Sequence, residues 1–139
     1  MAQNGDSYTV RLKEPHLMWG TKRYTNSRKR IYGEGYLPIP APYARKYNIF
    51  NSNHSKTGIG YNEFYTSSAD NFFTGILKSS GCSEAGKIYA KNLHGSGDLK
   101  ALGSWFEQVN ADVGDYVEVK WTSPTNILLT HIPNNSNYD

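Results

Sequence analysis

Residues 7–13 alternate cleanly, with Tyr8, Val10 and Leu12 on one side and Thr9, Arg11 and Lys13 on the other. That period of two predicts a half-buried strand. The same rhythm returns after Gly114-Asp115, where Val117, Val119 and Trp121 alternate with Tyr116, Glu118 and Lys120. Ser123-Pro124-Thr125-Asn126 then predicts a turn into a last strand over 127–132. Two aromatic-rich runs, near 61–67 and 71–78, flank Ser68-Ala69-Asp70 and predict a strand pair. Shorter strands are expected at 36–39 and 87–90, with loops at 51–60 and 91–98 and loose ends at 1–6 and 133–139. Pro40 and Pro42 suit only the first turn of a helix, which predicts one or two helical turns over 41–48. From Leu99 the period changes. Leu99, Leu102, Trp105, Phe106 and Val109 follow helical spacing, with Asp98 in the N-cap position. Gly103 inside that helix costs about 1 kcal/mol against Ala, an expense a buried stripe can absorb. The expected fold is mainly β, a seven-stranded open pseudobarrel with two short helices, forming one domain over 1–139 with its core at about 7–132.

Composition sharpens this picture. A chain of 139 residues, 37% apolar and 14% aromatic, is long enough to bury one core. Eleven tyrosines favour a pleated fold with a contact face. Cys82 is the single cysteine, which excludes an internal disulfide; the opening carries no apolar leader, so a cytoplasmic setting is expected. No apolar run approaches the roughly 20 residues needed to cross a bilayer, and the isolated domain is expected to be a monomer. The net charge of +3 conceals a polarity: residues 1–50 carry nine Lys/Arg against three acids, while 51–139 carry six against nine. A domain with one basic side suits a polyanion.

Lys22, Arg23, Arg28, Lys29 and Arg30 fall within nine residues, interleaved with Tyr24, Asn26 and Ser27 and followed by Tyr32. Lys and Arg neutralise phosphates, Arg forks onto guanine, Asn reads adenine, and Tyr and Ser position the backbone. Basic clusters are commonly solvated loops, but this one is inserted between two strands, where it can be aimed into a groove. A second chemistry is Glu118-Val119-Lys120, the E-x-K by which metal-dependent nucleases hold Mg²⁺, with Asp98, Glu107 or Asp112 as the distant acid. Against it, the alternation makes Glu118 and Lys120 the solvent face of an ordinary strand, and the acids fall on or beside a helix. His16, His54, His94 and His131 with Cys82 show no metal-ligand spacing, and Asn51-Ser52-Asn53-His54 lacks the partners of a His/Asn nuclease. No phosphate-binding glycine loop is present. A barrel that binds carbohydrate or protein through its tyrosines is the remaining alternative.

Three segments, in order, resemble the plant B3 transcription-factor domain and its bacterial relatives, the effector-binding domains of EcoRII-like restriction endonucleases. LPIPAPYARKYNI (37–49) resembles the strand-then-helix signature, GSWF (103–106) the Gly-Trp stripe, and VGDYVEV (113–119) the G-D-x-V strand entry. SSGCSEAGKIYAKN (79–92) resembles the EcoRII-type domain in particular. The resemblance implies a seven-stranded open barrel whose two arms grip duplex DNA in the major groove. The first arm falls on the basic segment, longer and more basic than usual. The second is expected at 91–100, with Lys91, Asn92, His94, Ser96, Asp98 and Lys100; it is glycine-rich and less basic than in the family. Asp98 has two candidate roles there, helix capping or acceptance from cytosine N4. The implied function is specific double-stranded DNA recognition in the cytoplasm of a bacterium, as the recognition part of a type II restriction endonuclease. The chain alone is then no enzyme and needs no cofactor, Mg²⁺ belonging to any attached catalytic domain.

Overall fold

The computed structural model describes residues 1–13, 35–81, 84 and 86–134. In chain order the elements are β1 (Ser7–Arg11), β2 (Leu37–Pro38), α1 (Ala41–Lys46), β3 (Glu63–Ser68), β4 (Thr74–Ser80), β5 (Asn92–Gly95), α2 (Ala101–Gln108), β6 (Tyr116–Ser123) and β7 (Asn126–Ile132). The seven strands form one sheet in the order β1-β6-β7-β3-β4-β5-β2. Every neighbouring pair is antiparallel except β3 with β7. The sheet curls into a nearly closed barrel with two helices, and its open edges are β1 and β2.

The alternation in β6 sets the inside of this barrel. Val117, Val119 and Trp121 are fully buried while Tyr116 and Lys120 are exposed, as the period of two requires. Trp121 meets Phe64 of β3 edge-on at 5.5 Å and lies beside Tyr8 and Tyr47, so β1, β3, β6 and α1 converge on one indole. Burying such a ring with its neighbours contributes roughly 2–3 kcal/mol per large side chain. At the other end Leu102, Trp105 and Phe106 turn the apolar stripe of α2 onto the barrel, and Trp105 donates through its indole N–H to Asp70. Both Pro-bearing turns behave as expected: α1 starts at Ala41 with Pro42 in its first turn.

Three boundaries differ from expectation. Residues 92–95, read as loop, form β5, because Leu93 is a lone apolar residue whose pairing is supplied by β4 and β2 on either side. Residues 87–90, read as a strand, contribute only an isolated bridge from Tyr89 to Phe50. Helix α2 is capped by the Lys100 backbone rather than by Asp98. The Asp98 carboxylate instead accepts from the Lys100 N–H at 3.0 Å, closing a turn just ahead of the helix.

Candidate nucleic-acid interface

Of the basic segment, Lys22, Arg23, Tyr24, Asn26, Ser27, Arg28, Lys29, Arg30 and Tyr32 lie outside the described residues. Its two flanks are described: the entry side meets the turn that follows α2, and the return side meets α2 itself. On the entry side, Leu12 donates to the Asp115 carbonyl at 2.7 Å and accepts from the Gly114 N–H at 2.9 Å. On the return side, Gly35 donates to the Leu99 carbonyl at 3.4 Å. A β-carbon on Gly35 would fall 2.9 Å from the backbone nitrogen of Gly103, so the two glycines let strand entry and helix backbone touch. That contact requires a glycine at position 35. The described residues on either side of the basic segment are thus tied, one to the turn that follows α2 and the other to α2 itself.

The entry flank is held by a polar cluster. Asp115, only 6% exposed, accepts from the backbone N–H groups of Asp112 and Asn134 and from His131 Nε2 at 2.8–3.0 Å. Burial works against its ionisation, but these bonds outweigh burial and hold its carboxyl below the ordinary range. Asp70 behaves alike: burial opposes its charge, while Ser68, the Phe72 N–H, Trp105 and nearby His131 stabilise it more. His131 thus links the turn beside α2 with the β3–β4 turn.

The residues expected in the second arm do not form one loop. Lys91 and Asn92 stand at the start of β5, where the Lys91 carbonyl accepts from Ile39 at 2.7 Å and its N–H donates to Ser80 at 2.8 Å. Asn92 and His94 flank the buried Leu93 and so face outward, opposite Ser80 and Lys78 of β4. His94 Nε2 lies 2.8 Å from Ser80 Oγ, and its Nδ1 lies 3.2 Å from the Gly95 carbonyl. Ser96 Oγ donates to Glu63 at 3.3 Å. Asp98 and Lys100 follow beyond Gly95, next to Gly35. A strand of four residues separates the two groups by about 13 Å. They make a polar ridge along the outside of β5, running from the β4–β5 connection at one end to the return flank of the basic segment at the other.

Glu118 and Lys120 lie mid-strand on β6, in register with Thr9 and Ser7 on one side and with Thr130 and Leu128 on the other. Among the described residues no group of three His, Cys, Asp or Glu could hold a metal ion. No helix of the described residues is long and apolar enough to cross a membrane.

Sequence reasoning missed Asn51. Its side chain is 3% exposed and its amide nitrogen donates to the carbonyls of Gly81 and Lys87, each at 2.9 Å, and to that of Tyr89 at 3.4 Å. Its oxygen accepts from the Asn53 N–H at 2.9 Å, which fixes the orientation of the amide. Asn53 adds bonds to the carbonyls of Glu84 and Lys87. The pair clasps the connection between β4 and β5 from behind. These partners lie some thirty residues away in sequence, and only the clustering of Asn51-Ser52-Asn53 hinted at them.

Among solved structures, the chain is similar to the Arabidopsis FUS3–DNA complex, with a TM-score of 0.52 and 12% identity, over 92% of this chain and 97% of the other. The chain has a B3-like fold. At that identity the likeness carries the architecture of the B3-like barrel and no single contact. No protein-family model matches the sequence, and no curated protein matches it.

Proposed function

We propose that this chain reads a short, specific site in double-stranded DNA through two arms placed in the major groove. The observation that carries the reading is positional. In a B3-like barrel similar to one solved with DNA, the basic segment joins the two open edge strands in sequence, and its described flanks meet the turn that follows α2 and α2 itself. The ridge of Lys91, Asn92, His94, Ser96, Asp98 and Lys100 leads from that place along β5 and offers donors and acceptors suited to base edges and phosphates. A finer role, as the recognition module of a type II restriction endonuclease acting in a bacterial cytoplasm, rests on the resemblance of residues 79–92 to the EcoRII-type domain.

The test is duplex binding followed across salt. A module that neutralises several phosphates loses affinity steeply between roughly 50 and 200 mM salt, by orders of magnitude if six or more contacts form. Binding that is absent, or indifferent to salt, overturns the proposal. Incubation of the same protein with plasmid and Mg²⁺ separates a reader from a nuclease. A reader leaves the plasmid intact, and cleavage abolished by Glu118→Ala replaces the proposal.

A further inference from the structure

Beyond the ridge, the clasped connection between β4 and β5 faces α1 across a groove of about 660 Å³. Apolar surface comes from both sides, from Ala41 of the helix and from Ile88 and Tyr89 opposite, and charged side chains make up much of the rest of the lining. Tyr89 packs on Phe50 at 5.8 Å, and Asn51 holds the Lys87 and Tyr89 carbonyls, which braces that side. Arg45, Lys87 and Lys91 line the groove and are all exposed, against Glu84 as the one acid among the described lining residues.

We infer that this groove takes one unpaired nucleotide of the bound DNA, its base against the apolar surface and its phosphate at the exposed cations. Three arguments select that occupant. Apolar surface on both sides of the groove can pack on a flat ring, and the size lies within the roughly 300–1,000 Å³ of small-molecule sites. The excess of exposed cations matches an anionic group attached to that ring. Lys91 belongs both to this groove and to the ridge, so DNA lying along β5 passes the mouth of the groove. The inference rests on the DNA-reading proposal and adds to it a preference for a duplex in which one nucleotide is already unstacked, where the cost of extrusion is least.

The experiment compares two duplexes that differ only in one extra, unpaired nucleotide on one strand, for binding to the full chain by fluorescence anisotropy at moderate salt. The bulged duplex is expected to bind about tenfold tighter, a gain on the order of the unstacking cost it avoids. Ala41→Phe fills the groove from the exposed face of α1 and is expected to abolish that preference while leaving the paired duplex unchanged. Arg45→Ala, a surface change with no packing consequence, is expected to reduce the preference several-fold, so the conclusion does not depend on Ala41→Phe folding. Equal binding of both duplexes, or a preference that survives both substitutions, overturns the nucleotide site and leaves DNA reading intact. Failure of both duplexes to bind at all overturns the DNA reading itself.

Discussion

Replacing Asn51 by alanine deletes a part-buried donor that two carbonyls 2.9 Å away and a third at 3.4 Å share. The Lys87 carbonyl keeps its bond from Asn53, while those of Gly81 and Tyr89 lose the amide. Each intramolecular bond is worth a net of about 0.5–1.5 kcal/mol, so two strong bonds and one weak one put the expected loss at roughly 1–3 kcal/mol. Asn51→Asp has nearly the same shape but turns a carboxylate toward the same carbonyls, so it is expected to destabilise more than alanine does. Urea titration gives both values, with an unchanged slope showing that the folded state stays compact. Hydrogen exchange at Ala90 and Lys91, whose N–H groups bond to Ile49 and Ser80, locates the loosening in the β4–β5 connection. A loss below about 0.5 kcal/mol for Asn51→Ala, or an aspartate tolerated better than alanine, refutes the clasp.

Four further outcomes are expected, three from the described geometry and one from the sequence of the basic segment. Tyr8→Phe is expected to stabilise the fold by about 1 kcal/mol in thermal or urea unfolding, because the Tyr8 hydroxyl is buried with no hydrogen-bond partner among the described residues and burial pushes its ionisation well above the usual range; a clear loss of stability contradicts this. Gly95→Ala places a β-carbon on the Asp98 carbonyl and close to the Ala101 β-carbon, and is expected to cost at least the roughly 1–3 kcal/mol of ordinary overpacking. Folding lowers the carboxyl pKa of Asp115 and Asp70, so their contribution is fully present above the ordinary carboxylate range and is lost as pH falls through it toward the folded values; Asp115→Asn is expected to flatten the acid limb of stability against pH. Replacing Arg28 or Arg30 by Ala is expected to cost about 1–3 kcal/mol of binding with relaxed specificity if the side chain forks onto guanine, and to weaken all sequences alike if it meets phosphate.

The architecture was legible wherever one face of an element is apolar enough to declare itself. Val117, Val119 and Trp121 announced β6, and Leu102, Trp105 and Phe106 announced α2, because burial alone selects those periods. β5 was not legible. Its four residues hold one apolar side chain, and it is a strand because β4 and β2 present unpaired backbone on both sides. Lys87–Ala90 misled in the opposite sense: Ile88 and Tyr89 look like strand residues, yet their pairing stops at the single bridge to Phe50, and the Tyr89 carbonyl goes to the Asn51 side chain. The candidate interface was half legible for the same reason. Side-chain types picked out Lys91 to Lys100, but only the strand between them shows that they form a ridge and not a loop. Gly103 drew notice as a helical cost, and its partner Gly35 became visible only once β2 was laid against α2.

The central claim is that the chain reads DNA sequence, and selection from a randomised duplex pool at moderate salt tests it most directly. The bound fraction, sequenced after a few rounds, is expected to converge on one short motif, with each mismatch in it costing about 1–3 kcal/mol. Retention of duplex without enrichment of any motif would contradict the claim, reducing the basic segment and the β5 ridge to a surface that meets phosphates alone.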